Sequence, residues 1–206
     1  MTINLSRSEI KSEVEKAIRG VGVDWGRAKD GGIMAAWLAA HDMVFLGSLL
    51  QILDTIDIGS ADIGSANDTF KYGALDGIIL AEYVLAGQEA WAGDVAAIRF
   101  LIAGMGIATK EQGGRLALFD KTGMFAYADC GNVFLALDAD TSDQHITLSC
   151  HFSKRANTTY HMLDWSDATA HEASASCWSR LSKLAFRVYV PETEEKRRSG
   201  AGAGDI

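Results

Sequence analysis

Lys16 and Arg19 lie three residues apart on the approach to Gly20-Val-Gly22-Val-Asp24-Trp25-Gly26. Cations at i and i+3 share one helix face, and a glycine turn that leads into a new helix presents unpaired backbone N–H groups. Together they suit a carboxylate or a phosphate. Without any ligand, the same two cations complement the C-terminal end of the helix dipole. The glycine spacing only partly matches a dinucleotide fingerprint. It carries one extra residue before the third glycine and follows a helix where the fingerprint needs a strand. A second basic, glycine-bearing stretch is Lys196-Arg197-Arg198-Ser199, followed by Gly200-Ala-Gly-Ala-Gly204. Alternating glycines free backbone amides to form an anion-binding nest, and the arginines add charge; the plain alternative is a solvated terminus. The anion-binding candidates are therefore Lys16, Arg19, Gly20, Gly22, Trp25, Gly26, Arg197, Arg198, Ser199 and Gly200.

A second chemistry is suggested by the histidines. A hairpin turning on Arg155, Ala156 and Asn157 would set Phe152 against Tyr160, Cys150 against Met162, and His151 against His161. Cross-strand Cβ atoms lie about 5 Å apart, close enough to share a metal. No H-E-x-x-H or comparable spacing supplies a third ligand, and a solvent-facing histidine pair is the plain reading. No cofactor is expected.

Other patterns resolve into surface chemistry. DIGSADIGSAND, from Asp57 to Asp68, repeats five residues almost unchanged. Gly59 and Gly64 have the first spacing of a phosphate loop, but Ser65 and Ala66 stand where Lys and Ser/Thr must follow. Asp57, Asp62 and Asp68 would repel phosphate. Calcium suits these oxygen ligands better, yet both the D-x-D-x-D pattern and the bidentate Glu are missing. An exposed, duplicated loop is the expectation. No G-x-S-x-G elbow occurs, and no catalytic residue is assigned.

The elements that must position these residues are legible to different degrees. The start is read as a polar helix, with Ser6 and Glu9 as its capping box and Ile10, Val14, Ala17 and Ile18 as its buried stripe. Asp24 caps a second helix to about His41, and Phe45 to Ile56 forms a third. Leu75 to Ala86 suits a helix by its length, while Val95 to Ala103 fits helix or strand. RLALFD, NVFLALDAD and HITLSCHFS read as short strands, with Tyr160 to Trp165 as the hairpin partner of the last. Cys177, Trp178, Leu181, Leu184, Ala185 and Val188 share one face of a closing helix.

This order predicts a single α+β domain over residues 1–206. Residues 1–110 form an N-terminal helical half and residues 111–190 an antiparallel β meander with a closing helix; residues 191–206 form a glycine-rich tail. The chain carries a formal net charge of −8, which excludes a nucleic-acid surface and disfavours anionic membranes. Three widely spaced cysteines read as reduced thiols, and no signal-peptide pattern is present, so the expected location is the cytoplasm.

The run from Lys16-Ala-Ile-Arg19-Gly20 to Trp25-Gly26-Arg-Ala28, with Trp37-Leu38-Ala39, resembles an uncharacterised bacterial domain family of unknown function. Tyr189-Val-Pro191-Glu-Thr193 and Gly200-Ala-Gly-Ala-Gly204 resemble the same family's terminus. The resemblance implies no activity, but it does imply that both glycine-bearing ends belong to one plan. Lys16, Arg19, Arg197 and Arg198 are then expected to line one cleft for a small anionic metabolite. The alternative is a non-catalytic accessory or interaction subunit, homodimeric or bound to an enzyme, and a histidine metal site comes third.

Overall fold

The computed structural model describes residues 1–57, 73–88, 91–95, 97–119, 124–136, 148–153 and 160–189. Within them an α+β fold is built from two layers. The helical layer begins with α1 (Arg7–Gly20) and α2 (Trp25–Ala40), which pack against each other, and continues into α3 (Leu46–Asp57). A short 3-10 turn, Gly73–Asp76, leads into α4 (Gly77–Leu85). The closing helix α6 (Ala175–Phe186) returns to pack on α1.

The start of the chain departs from the expected helix. Thr2–Leu5 is a strand, β1, and it pairs antiparallel with β8 (His171–Ser174), Leu5 opposite His171. The helix begins only at Arg7, because Ser6 caps it: its hydroxyl accepts from the Glu9 N–H while Glu9 reaches back to the Ser6 N–H at 2.8 Å. The ribbon closes the two ends of the described chain over one another.

The larger sheet has six strands in the order β2-β6-β3-β4-β5-β7. These are β2 (Trp91–Val95), β3 (Arg115–Phe119), β4 (Met124–Asp129), β5 (Asn132–Ala136), β6 (Leu148–Ser153) and β7 (Tyr160–Met162). β3, β5, β6 and β7 form where strands were expected, β4 is an additional strand that completes the meander β3-β4-β5, and the next connection departs from expectation. β6 inserts between β2 and β3, while β7 pairs with β5 at the far side. The expected hairpin between β6 and β7 is therefore absent. His151 lies opposite Trp91 and Phe119, whereas His161 lies opposite Leu135. Four strand spacings separate them, about 19 Å, so a shared metal between His151 and His161 is ruled out.

Helix α5 (Ile98–Gln112) lies between the layers, touching α2 and α4 on one side and β3, β4 and β5 on the other. Every residue from Phe100 to Thr109 is buried. Hydrophobic cover on all sides erases the helical period, which explains why this segment reads equally as helix or strand. The duplicated stretch after Asp57 lies outside the described residues.

Candidate functional site

One face of α1 carries Ser8, Lys11, Ser12, Glu15, Lys16 and Arg19. These follow the helical period and stand opposite the buried stripe of Ile10, Val14, Ala17 and Ile18. With Trp25 from the start of α2 and Val188 and Tyr189 from beyond α6, they line an open groove of about 460 Å³. Three cations face one carboxylate there, in a chain whose net charge is −8.

The side chains in the groove are held in place. The Arg19 guanidinium stacks over Trp25 at 4.0 Å from the ring centroid, and Trp25 itself is 59% exposed. Lys16 approaches the Tyr189 ring at 5.9 Å and pairs with Glu13 at 3.5 Å. Hydrogen bonding with Tyr189 holds the Lys16 ammonium above the ordinary lysine range, with slight burial opposing it and Glu13 reinforcing it. Asp24 caps α2 by accepting from the Arg27 N–H at 3.1 Å. Its carboxylate and the buried Asp76 both bind the Arg27 side chain, at 2.9 and 2.6 Å.

Of the residues expected to bind an anion, Lys16, Arg19 and Trp25 converge on this groove. The three glycines lie next to it but do not line it. Gly20 serves the packing of α1 on α6, since a Cβ there would sit 2.0 Å from the Leu184 carbonyl oxygen. Gly22 turns the chain with φ at +92°, and Gly26 sits in the first turn of α2 beside Asp24. Arg197, Arg198, Ser199 and Gly200 lie outside the described residues. Lys11, Ser8 and Ser12 were missed, although their period of three and four residues was readable as a continuation of the Lys16–Arg19 face.

A second cavity, of about 510 Å³, lies between the α2–α3 turn and the β1–β8 ribbon. At its edge the buried His171 faces Asp42, with Nδ1 3.6 Å from the carboxylate. Arg7 Nε donates to His171 Nε2 at 3.2 Å. The rest of that guanidinium donates to the carbonyls of Ser166 and Ala168 and lies over the Trp165 ring at 4.8 Å. Cys177, a free and partly exposed cysteine, lines the same cavity. No local sequence signal connects these groups, because Arg7 and His171 are 164 residues apart. Among the described residues no group of three or more His, Cys, Asp and Glu side chains could hold a metal.

Fold and groove together define an α+β protein with a basic surface cleft on an acidic chain. Residues 5–94 match the family model described as protein of unknown function, DUF3726. The resemblance to an uncharacterised family is thus found from Leu5, the last residue of β1, to Asp94 in β2. It spans all the groove residues on α1 and α2, while Val188, Tyr189 and the Gly-Ala-Gly stretch lie beyond it. No curated protein matches the chain, and no solved structure does. No helix among the described residues is long and apolar enough to cross a membrane.

Proposed function

We propose that the α1 groove binds a small anionic metabolite, with Lys11, Lys16 and Arg19 supplying charge and Trp25 a stacking face. The observation that carries this reading is the convergence of three cations on one concavity of an otherwise acidic chain. Such a concentration of one sign draws in counter-charge that the rest of the surface repels. Arg19 is held by Trp25 at 4.0 Å, so little of its freedom remains to be lost on binding. The tail starts at the groove wall: Tyr189 lines it, and an extended stretch from Tyr189 to Arg197 reaches up to about 28 Å. Arg197, Arg198, Ser199 and Gly200 belong to the same site in this proposal.

Calorimetric titration of inorganic phosphate, citrate and malate at fixed ionic strength tests the reading. One chemical class should bind, and Arg19→Ala and Arg197→Ala should each weaken that same ligand about tenfold or more. Independent effects of the two variants would remove the tail from the site, and no binding by any anion would remove the site.

A second reading, an interaction subunit that includes the homodimer, is favoured by Phe186. It is 72% exposed and its ring lies tilted against the exposed Tyr189 ring, with centroids 5.9 Å apart, beside the groove. Light scattering across a concentration series separates the two: a concentration-dependent mass abolished by Phe186→Ser supports the interaction reading.

A further inference from the structure

We propose that the cavity between the α2–α3 turn and the β1–β8 ribbon is a second ligand site, which takes a small amphipathic amine. The cationic head would sit between Asp42 and Glu172, with the hydrocarbon body in the cavity. This inference stands apart from the α1 groove and shares no lining residue with it.

Size and wall chemistry define the body of the ligand. A volume of about 510 Å³ falls in the range of small-molecule pockets. The inner walls are Leu5, Ile10, Phe45 and Leu46, with Trp178 from α6. Val44, 63% exposed, extends this apolar surface to the lip. These walls have nothing to offer a fully hydrated ion, but they reward every methylene brought out of water.

Charge defines the head. Asp42 and Glu172 are both in the lining, and no Lys or Arg is. The Asp42 side chain is 70% exposed, so its carboxylate remains open to a partner. His171 Nε2 is engaged by Arg7, and its Nδ1 stands 3.6 Å from the Asp42 carboxylate, beyond hydrogen-bond reach, which leaves that carboxylate able to take another partner. Arg7 is engaged by three acceptors and the Trp165 face. The Asp42 backbone is also committed to this geometry, with φ at +52°, a left-handed conformation that Asp and Asn tolerate better than other side chains. Two carboxylates beside apolar walls complement an organic cation, whereas a bare metal ion would need more donors than they offer.

The test uses the full chain and three six-carbon probes: n-hexylamine, 1-hexanol and hexanoate, titrated at equal ionic strength. Hexylamine should bind at least tenfold more tightly than hexanoate. From butylamine to hexylamine each methylene should tighten the dissociation constant about fourfold. Bound amine should slow alkylation of Cys177, followed by peptide mass spectrometry, and leave the exposed Cys130 on the β4–β5 turn unchanged. Asp42→Asn keeps a residue that accepts the left-handed turn, and it should reduce the preference for amine over alcohol to near unity. Hexanoate binding as tightly as the amine, affinity that ignores chain length, or unchanged Cys177 labelling would each overturn the proposal, as would no binding by any probe. Inorganic phosphate, the probe of the α1 groove, should not displace hexylamine, so failure at either cavity is read separately.

Discussion

Arg27 shows how single residues carry this fold. It joins the N-cap of α2 to Asp76, whose side chain is 0% exposed. Asp76→Ala removes the buried, charge-assisted bond while Asp24 still holds the guanidinium, so it should cost about 1.5–3 kcal/mol in urea unfolding. Asp24, on the exposed side of the same arginine, should matter less. Burial pulls its carboxyl upward, but the hydrogen bonds and charge of Arg27 outweigh this and hold it below the ordinary aspartate range. Its contribution is present above the unfolded-state pKa near 3.8 and is lost as pH falls through the lower folded value. Asp24→Asn should therefore lose less stability than the parent when the pH is lowered from 5 to 2. His41 titrates in a milder window. Burial depresses its pKa against the pull of the Trp37 carbonyl, which lies 2.8 Å from Nδ1, and the ring stacks on Trp37 at 3.8 Å. The unfolded state takes up the proton first, so stability should fall as pH drops below about 6.5, and His41→Asn should flatten that slope. At this scale the sequence spoke clearly where chemistry is local. The capping box of Ser6 and Glu9, the Asp24 cap and the Lys16–Arg19–Trp25 grouping all lie within a few turns of one another. The Arg7–His171–Asp42 array was not legible, because only tertiary folding brings its members together.

Elements add constraints that no single side chain reveals. Helices α4 and α5 cross where two glycines meet: a Cβ on Gly104 would lie 2.3 Å from the Gly77 carbonyl carbon. Backbone cannot yield as a side-chain tip does, so Gly104→Ala should force the helices apart at a cost of about 3 kcal/mol, visible as a lower urea midpoint with the spectrum otherwise native. Most helices were readable from caps and stripes, since each hides one face. α5 was ambiguous because it hides every face. Strand β4 was passed over between two segments read as strands, and β1, β2 and β8 escaped notice for a different reason. Asp94 and Gly93 in β2 and the polar residues of β8 carry no alternation, and these strands exist only through distant partners.

At the level of the whole molecule, the β1–β8 ribbon ties the chain's first residues to the segment just before α6. It also walls the second cavity, with Leu5 on one strand and His171 to Ser174 on the other. Deleting residues 1–5 should therefore uncover Cys177 and speed its alkylation several-fold, while Cys130 should label as before. The α+β class was legible from the order of segments, but the sheet order was not. Nearest-neighbour hairpins are the natural first assumption, and they hold for β3-β4-β5 alone.

The insertion of β6 between β2 and β3 also sets a timetable for synthesis. While the chain leaves the ribosome, α1 and α2 find each other at once, and the meander can zip as it emerges. Among the described strands β2 lies at the edge of the sheet with one partner, and that partner is encoded downstream of the whole meander. At about 5–20 residues per second the wait is on the order of 3–10 s, during which the peptide groups of Trp91–Val95 have no strand to bond. A nascent chain paused short of Ser153 would expose a bare edge to its neighbours on the same message. Slowing translation within residues 137–147 should thus lower the soluble yield more than slowing it after Phe186.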